Sequence, residues 1–164
     1  MMIQHVLVAT DGSNEARHAV EMAATIAKSL NARVTILHVI LHGVRAEEAI
    51  RLARRRSTGP ERVLVSTGGE FESVQGDIGE AASVLGERIA ENAAEIARSL
   101  GVDNVNTRVE PGDNAETILA VAKEVDANMI VVGSRGLGRL TGMMLGSVSQ
   151  KIVQNAACSV TVVR

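Results

Sequence analysis

The chain of 164 residues has no Trp, no Tyr and a single Phe, Phe71. Aromatic platforms for stacking single-stranded bases are therefore missing. One cysteine, Cys158, excludes an intramolecular disulfide framework and fits a reducing compartment. No apolar run approaches the ~18 residues that a membrane-spanning helix needs. The opening MMIQHVLVATDGS lacks a basic leading segment, and its apolar run is too short for a secretory signal. Neither sign of charge dominates. Against 19 Asp and Glu stand 17 Lys and Arg, a net of −2, which argues against a strongly basic nucleic-acid binder. What remains is 46 % hydrophobic and 22 % charged, ordinary for a globular chain. The expectation is one cytoplasmic domain over residues 1–164.

Apolar periodicity divides the chain into alternating elements. Val6, Leu7, Val8 and Ala9 form a short β-branched run that stops at Thr10-Asp11-Gly12-Ser13, as a strand covered on both faces would. Ser13 is placed to cap a helix whose stripe is Ala16, Ala19, Val20, Ala23, Ile26, Ala27 and Leu30, closed by Asn31. A second buried strand covers residues 34–40, so the first two strands should be parallel. Residues 43–79 read as a variable insertion, with an Arg-rich helical stretch over 47–56 and a hairpin or loop around Thr67-Gly68-Gly69. A helical period resumes with Leu85, Ile89, Ala93, Ile96 and Leu100, ended by Gly101. A weak strand over 105–109 follows. Asp113 and Glu116 then make a capping box for a helix with Ile118, Leu119, Ala122 and Val125 inward. A strand over 129–132, a short helix from Ser147 and a last strand over 160–163 end the chain. The pattern predicts an α/β fold. It is an open, doubly wound, five-stranded parallel sheet of order 3-2-1-4-5, with helices on both faces and an insertion after strand 2.

Open sheets of this kind bind ligands outside the carboxyl ends of their strands, where the strand order reverses. Two such ends have unusual composition. One is Thr10-Asp11-Gly12-Ser13. The other is the loop over 133–146, with glycines at 133, 136, 138, 142 and 146, leading to Ser147 at a helix start. Glycines let backbone N–H groups approach a ligand, a helix N-terminus favours an anion, and Arg135 and Arg139 add positive charge. Together these describe a phosphate cradle. It is neither a P-loop, since no Gly-Lys-Ser/Thr closes it, nor the dinucleotide fingerprint, whose spacing it misses. A side chain at Gly146 would obstruct the cradle and strain any positive φ there. Ser147 could also act as an N-cap, with Gln150 completing a capping box. His38 reads as a satisfied core histidine and Cys158 as a small buried hydrophobe. His5, His18 and His42 show no metal spacing.

The start HVLVATDGS, the second strand ending in LHV, the segment IVVGSRG and the spacing Gly133-x2-Gly136-x9-Gly146-Ser147 together resemble the universal stress protein family. The last spacing is similar to that family's ATP-binding motif. The resemblance covers residues 3–42 and 80–164, with Ser159 standing where many members have Pro. It implies a five-stranded α/β fold, a homodimer formed through residues 159–164, and ATP, or ADP or AMP, bound with Mg²⁺ on the phosphates. Carried onto this chain, it places Ala9, Thr10 and Asp11 against the adenosine part and the backbone of Val39 at the adenine edge. Val132 and Gly133 line the ribose. Arg135, Gly136, Gly146, Ser147 and Val148 hold the phosphates.

No Ser/His/Asp or Cys/His set and no carboxylate pair is visible for fast chemistry. The expected role is a nucleotide-dependent stress sensor or regulator with slow or no turnover. A weak ATPase or autokinase modifying Ser147 or Thr141, and a nucleotide-free dimerisation module, are the competing readings. Neither a nucleic acid nor a membrane is an expected partner.

Overall fold

The computed structural model describes residues 2–40, 74–134 and 145–164, apart from the side chains of 74–81. In chain order the elements are β1 (His5–Ala9), α1 (Asn14–Leu30), β2 (Arg33–Ile40), α2 (Val74–Ser99), β3 (Val105–Pro111), α3 (Asn114–Glu124), β4 (Met129–Gly133), α4 (Ser147–Asn155) and β5 (Ser159–Val163). The five strands form one sheet of order β3-β2-β1-β4-β5. Every neighbouring pair is parallel, with register such as Val8↔Ile36, Val8↔Val131 and Val132↔Val162. This is the predicted fold. The order reverses between β1 and β4, so their carboxyl ends border the crevice in which open α/β sheets hold ligands.

Strand alternation sends side chains into two cores. Val6, Val8, Val34, Ile36 and Val131 meet Ala19, Ala23 and Ala27 of α1 and Ala90, Ala93, Ala94 and Ala97 of α2. On the other face Leu7, Leu37, Val39, Ile130 and Val132 meet Ile118, Val121 and Ala122 of α3 and Ile152 of α4. Each fully buried Val, Leu or Ile contributes roughly 1.5–3 kcal/mol through the water-exposed area it removes.

The first core takes Ala93 and Ile96 of the expected α2 stripe but not its two leucines. The inward residues of α2 are mainly alanines, while Leu85 and Leu100 are exposed, as is Leu30 of α1. Both helices present alanine to the sheet, where short side chains allow close approach, and the longer leucines are left at the flanks. The helix α2 also begins at Val74, within the segment read as the insertion 43–79. The hairpin around Thr67-Gly68-Gly69 and the Arg-rich helix over 47–56 lie outside the described residues.

Local chemistry explains the element ends. The Ser13 hydroxyl accepts the Ala16 N–H at 3.1 Å to open α1, and Asn31 closes it in the left-handed conformation at φ 53°. The Asp113 carboxylate accepts from the N–H groups of Ala115 and Glu116 to open α3.

Candidate functional site

The carboxyl end of β1 enters a tightly tied turn. The Thr10 N–H donates to the Leu37 carbonyl at 2.9 Å, which extends the β1–β2 ladder by one residue. The Thr10 hydroxyl accepts the Gly12 N–H at 3.2 Å, and the Asp11 carboxylate accepts the Ser13 N–H at 2.9 Å. Gly12 has φ +78°, a conformation that favours glycine. Asp11 is half-buried at the mouth of this turn, with Thr10 and Ser13 buried beneath it.

The carboxyl end of β4 is tied to the start of α4. The Ser134 N–H donates to the Val163 carbonyl, so the β4–β5 ladder continues past Gly133. The Ser134 carbonyl then accepts twice, from the Gly146 N–H at 2.8 Å and from the buried Ser149 hydroxyl at 3.0 Å. The two ends of the glycine-rich loop are thereby held together. Arg135 and Gly136 lie outside the described residues, as do Gly138, Arg139, Thr141, Gly142, Met143 and Met144.

This anchoring corrects two expectations. Gly146, not Ser147, is the N-cap of α4, and it makes no side-chain cap hydrogen bond. Ser147 is the first helical residue, so the Ser147–Gln150 capping box does not form in that register. Instead the Gln150 N–H donates to the Gly146 carbonyl. The reason is the Ser134 carbonyl, which captures the Gly146 N–H and starts the helix one residue early. Gly146 also has φ −63° and ψ 155°, which any residue adopts, so a side chain there meets no backbone strain.

The remaining site residues gather on one face. Val39 and Val132 are buried in the α3/α4 core, with Ala9 and Val148 packed against it. Their side chains serve packing, so a ligand at this end would meet their backbone. Gly133 is half-buried between them and Ser134, and Ser147 is exposed on the first turn of α4. Beyond Val39, the Ile40 carbonyl accepts the Gly112 N–H at 3.0 Å. Gly112 has φ +151°, and a Cβ there would run into the Thr117 hydroxyl.

Three contacts escaped the sequence reading: the Ser134 junction, the Gly112 turn, and a bond from the His38 ring to the Thr10 carbonyl at 2.9 Å. The Gly-Ser pairs at 133–134 and 146–147 were the visible signal for the first.

Electrostatically the described part of the site is mild. Among the described residues no group of three His, Cys, Asp or Glu side chains converges as a metal site. Burial pushes the Cys158 thiol above its ordinary value, so it behaves as an apolar side chain. Two open depressions of about 480 and 490 Å³ lie at the opposite, amino end of the strands, both bordered by Arg33 and Asn104, the first also by His5 and Thr35. They are remote from the strand-order reversal at the carboxyl ends. No helix among the described residues is long and apolar enough to cross a membrane.

Comparison with known proteins is consistent across sequence and structure. A family model described as the universal stress protein family matches residues 2–49 and 45–164. Universal stress protein YxiE of Bacillus subtilis is 36 % identical over 167 residues, covering 99 % of this chain and 100 % of the relative. A putative universal stress protein of Staphylococcus epidermidis is 32 % identical over 162 residues, covering 98 % of this chain and 84 % of the relative. Among solved structures, the universal stress protein UspA from Lactobacillus plantarum superposes with a TM-score of 0.74 at 20 % identity, covering 100 % of this chain and 99 % of that one. A universal stress protein in complex with cAMP superposes with a TM-score of 0.68 at 25 % identity, covering 100 % and 99 %.

Proposed function

The chain belongs to the universal stress protein family, and on that premise we propose that it is a cytoplasmic stress-response regulator that binds an adenine nucleotide, ATP in the first place, with slow or no turnover. The observation that carries this reading is the start of α4. The helices α1 and α3 open on side chains that occupy their first N–H groups, whereas α4 opens on Gly146 with no side-chain cap. First-turn N–H groups have no acceptor within their own helix, and the helix dipole favours an anion beside them. That turn is tied through the Ser134 carbonyl to the carboxyl end of β4, one of the two strands between which the order reverses.

The residues fit a nucleotide in kind. Ser147 and Val148 offer backbone donors to phosphate, with Arg135 and Gly136 of the motif completing the cradle. Gly133 and the backbone of Val132 line the ribose, Val39 offers its backbone to the adenine edge, and Ala9, Thr10 and Asp11 face the adenosine. Mg²⁺, when bound, would be held on the phosphates. The relative bound to cAMP supports an adenine nucleotide as the ligand class.

We propose in addition a homodimer through residues 159–164. The strand β5 lies at the sheet edge and is half-buried along its length. An unpaired edge offers N–H and C=O groups to a second copy, and pairing of like strands closes under twofold symmetry.

The test is a thermal melt with ATP, ADP, AMP and cAMP, each with and without Mg²⁺. A ligand at a hundredfold excess over its Kd adds about 2.7 kcal/mol, roughly 5–10 °C for a chain of this size. Melting curves unmoved by all four nucleotides would overturn the reading.

A further inference from the structure

The turn that carries Asp11 is held from outside by β2. The Thr10 N–H reaches the Leu37 carbonyl, and the Thr10 carbonyl accepts a hydrogen bond at 2.9 Å from the ring of the next residue, His38. A carbonyl only accepts, so Nδ1 carries the hydrogen. With both sides of Thr10 tied to β2, the orientation of the Thr10–Asp11 peptide is set, and with it the direction in which the Asp11 side chain leaves the backbone. The bonds from Gly12 to the Thr10 hydroxyl and from Ser13 to the Asp11 carboxylate then form on a fixed base.

The ring in turn is held from behind. A Cβ on Gly86 of α2 would sit 3.0 Å from His38 Cδ2, 3.0 Å from Val109 Cγ1 and 3.4 Å from Ile40 Cγ1. To admit a side chain there, the ring and its neighbours must give by a few tenths of an ångström. Glycine is unfavourable inside a helix, so its presence in the middle of α2 has a packing reason here. Gly86 lets α2 pass close behind the imidazole, where a side chain would displace the ring bonded to Thr10.

We infer that His38 is a positioning residue for the Asp11 turn of the nucleotide site, clamped between the Thr10 carbonyl and Gly86, so that a displacement of α2 is transmitted to Asp11. Its consequence for binding rests on the proposed nucleotide function; its consequence for the turn does not.

The experiment uses the full chain with His38→Phe, His38→Asn and Gly86→Ala. Phe keeps a flat ring against Gly86 but has no donor, whereas Asn returns an N–H near the Nδ1 position. Amide hydrogen exchange at Gly12 and Ser13 is measured without ligand, and ATP affinity by calorimetry. His38→Phe is expected to raise exchange at both amides and to weaken ATP binding, each about tenfold, with His38→Asn restoring most of both. Gly86→Ala leaves His38 in place and is expected to act in the same direction, so it decides the matter if His38→Phe fails to fold. A fall in melting temperature with exchange at Gly12 and Ser13 and the affinity unchanged would reduce His38 to a packing residue and overturn the inference. If the unaltered chain binds no ATP, the nucleotide reading fails, and exchange at Gly12 and Ser13 alone upholds or overturns the positioning role.

Discussion

Lowering the pH should loosen this fold through His5. The residue is 4 % exposed, with ring Nδ1 2.9 Å from the Val125 carbonyl and Nε2 2.8 Å from the Thr35 hydroxyl. The carbonyl only accepts, so Nδ1 carries the hydrogen and neutral Nε2 accepts from Thr35. Burial lowers the His5 pKa below the ordinary 6.5, opposed by the bond to Val125 and reinforced by nearby Arg33. A histidine with a lowered folded pKa favours the neutral form in the native state. The stability it confers is therefore complete above 6.5 and is lost as pH falls through the folded value. His5→Phe removes the titration and leaves the Thr35 hydroxyl without the ring, while the Val125 carbonyl keeps the Arg33 guanidinium at 3.4 Å. At about 1–3 kcal/mol for an orphaned buried group, the expected cost is about 1–3 kcal/mol at pH 8. Adding Thr35→Val removes that orphan and should return about 1 kcal/mol. Urea unfolding of the two proteins from pH 8 to pH 5 gives the difference directly, with the other titrating groups cancelling. That difference should be constant above 6.5 and shrink below it. A difference independent of pH would refute the buried neutral histidine, and a difference near zero at pH 8 would refute the double hydrogen bond.

Gly146→Val should leave the fold intact, because φ −63° suits valine, yet abolish ATP binding by blocking backbone approach to the phosphates; retained micromolar affinity in calorimetry would contradict the cradle. Gly112→Ala should cost about 1–3 kcal/mol, since φ +151° is strained for any side chain and Thr117 occupies the space; an unchanged urea midpoint would show that the turn relaxes freely. Val162→Pro should convert the proposed dimer to a folded monomer. The Val163 carbonyl and the Ser159 N–H are both engaged on the β4 side, so alternation turns Val162 N–H to the open edge, where proline is tolerated. Light scattering that finds the unaltered chain monomeric, or the variant still dimeric, would remove β5 as the interface.

Where a structural property is local, the chain displays it openly. The β-branched runs, the Ser13 and Asp113 caps, the Asn31 stop and the alternation of strand and helix were enough to set the sheet order, because parallel strands need crossovers and those crossovers have one hand. Two failures came from properties that no single segment contains. The face that α2 buries was settled by the alanines of α1, which admit a second alanine face more closely than they admit Leu85 or Leu100. The start of α4 was settled by Ser134, 12 residues before Gly146, whose carbonyl competes for the Gly146 N–H. The His38–Thr10 bond joins residues 28 apart and exists only because the β1–β2 register puts Ala9 opposite Leu37. Before the register is known, an isolated histidine in an apolar strand carries no such signal.

The same register divides the labour between the two ends of the sheet. At the amino end, the Asn128 carboxamide oxygen accepts from the N–H groups of Gln4 and His5, and the Asn128 N–H returns to the His5 carbonyl at 2.9 Å. The His5 ring joins β1 to β2 and to the end of α3, and Arg108 bridges Glu110 and Glu124. The Asn128 and His5 bonds link residues at least 30 apart in sequence, whereas Arg108 and Glu110 are neighbours on β3 and add little to the long-range ties. At the carboxyl end the Asp11 turn adds local bonds to the long-range ones from Thr10 to Leu37 and His38, from Ile40 to Gly112 and from Ser134 to Val163, while α4 opens without a side-chain cap. Both ends of the sheet are therefore tied across segments distant in sequence, and they differ in what the ties leave over. The first-turn N–H groups of a helix have no acceptor within it, and at α4 the cap residue supplies no side-chain acceptor. For a protein proposed to report on a nucleotide rather than to consume it, a ligand anion at that turn would complete a framework already held in register.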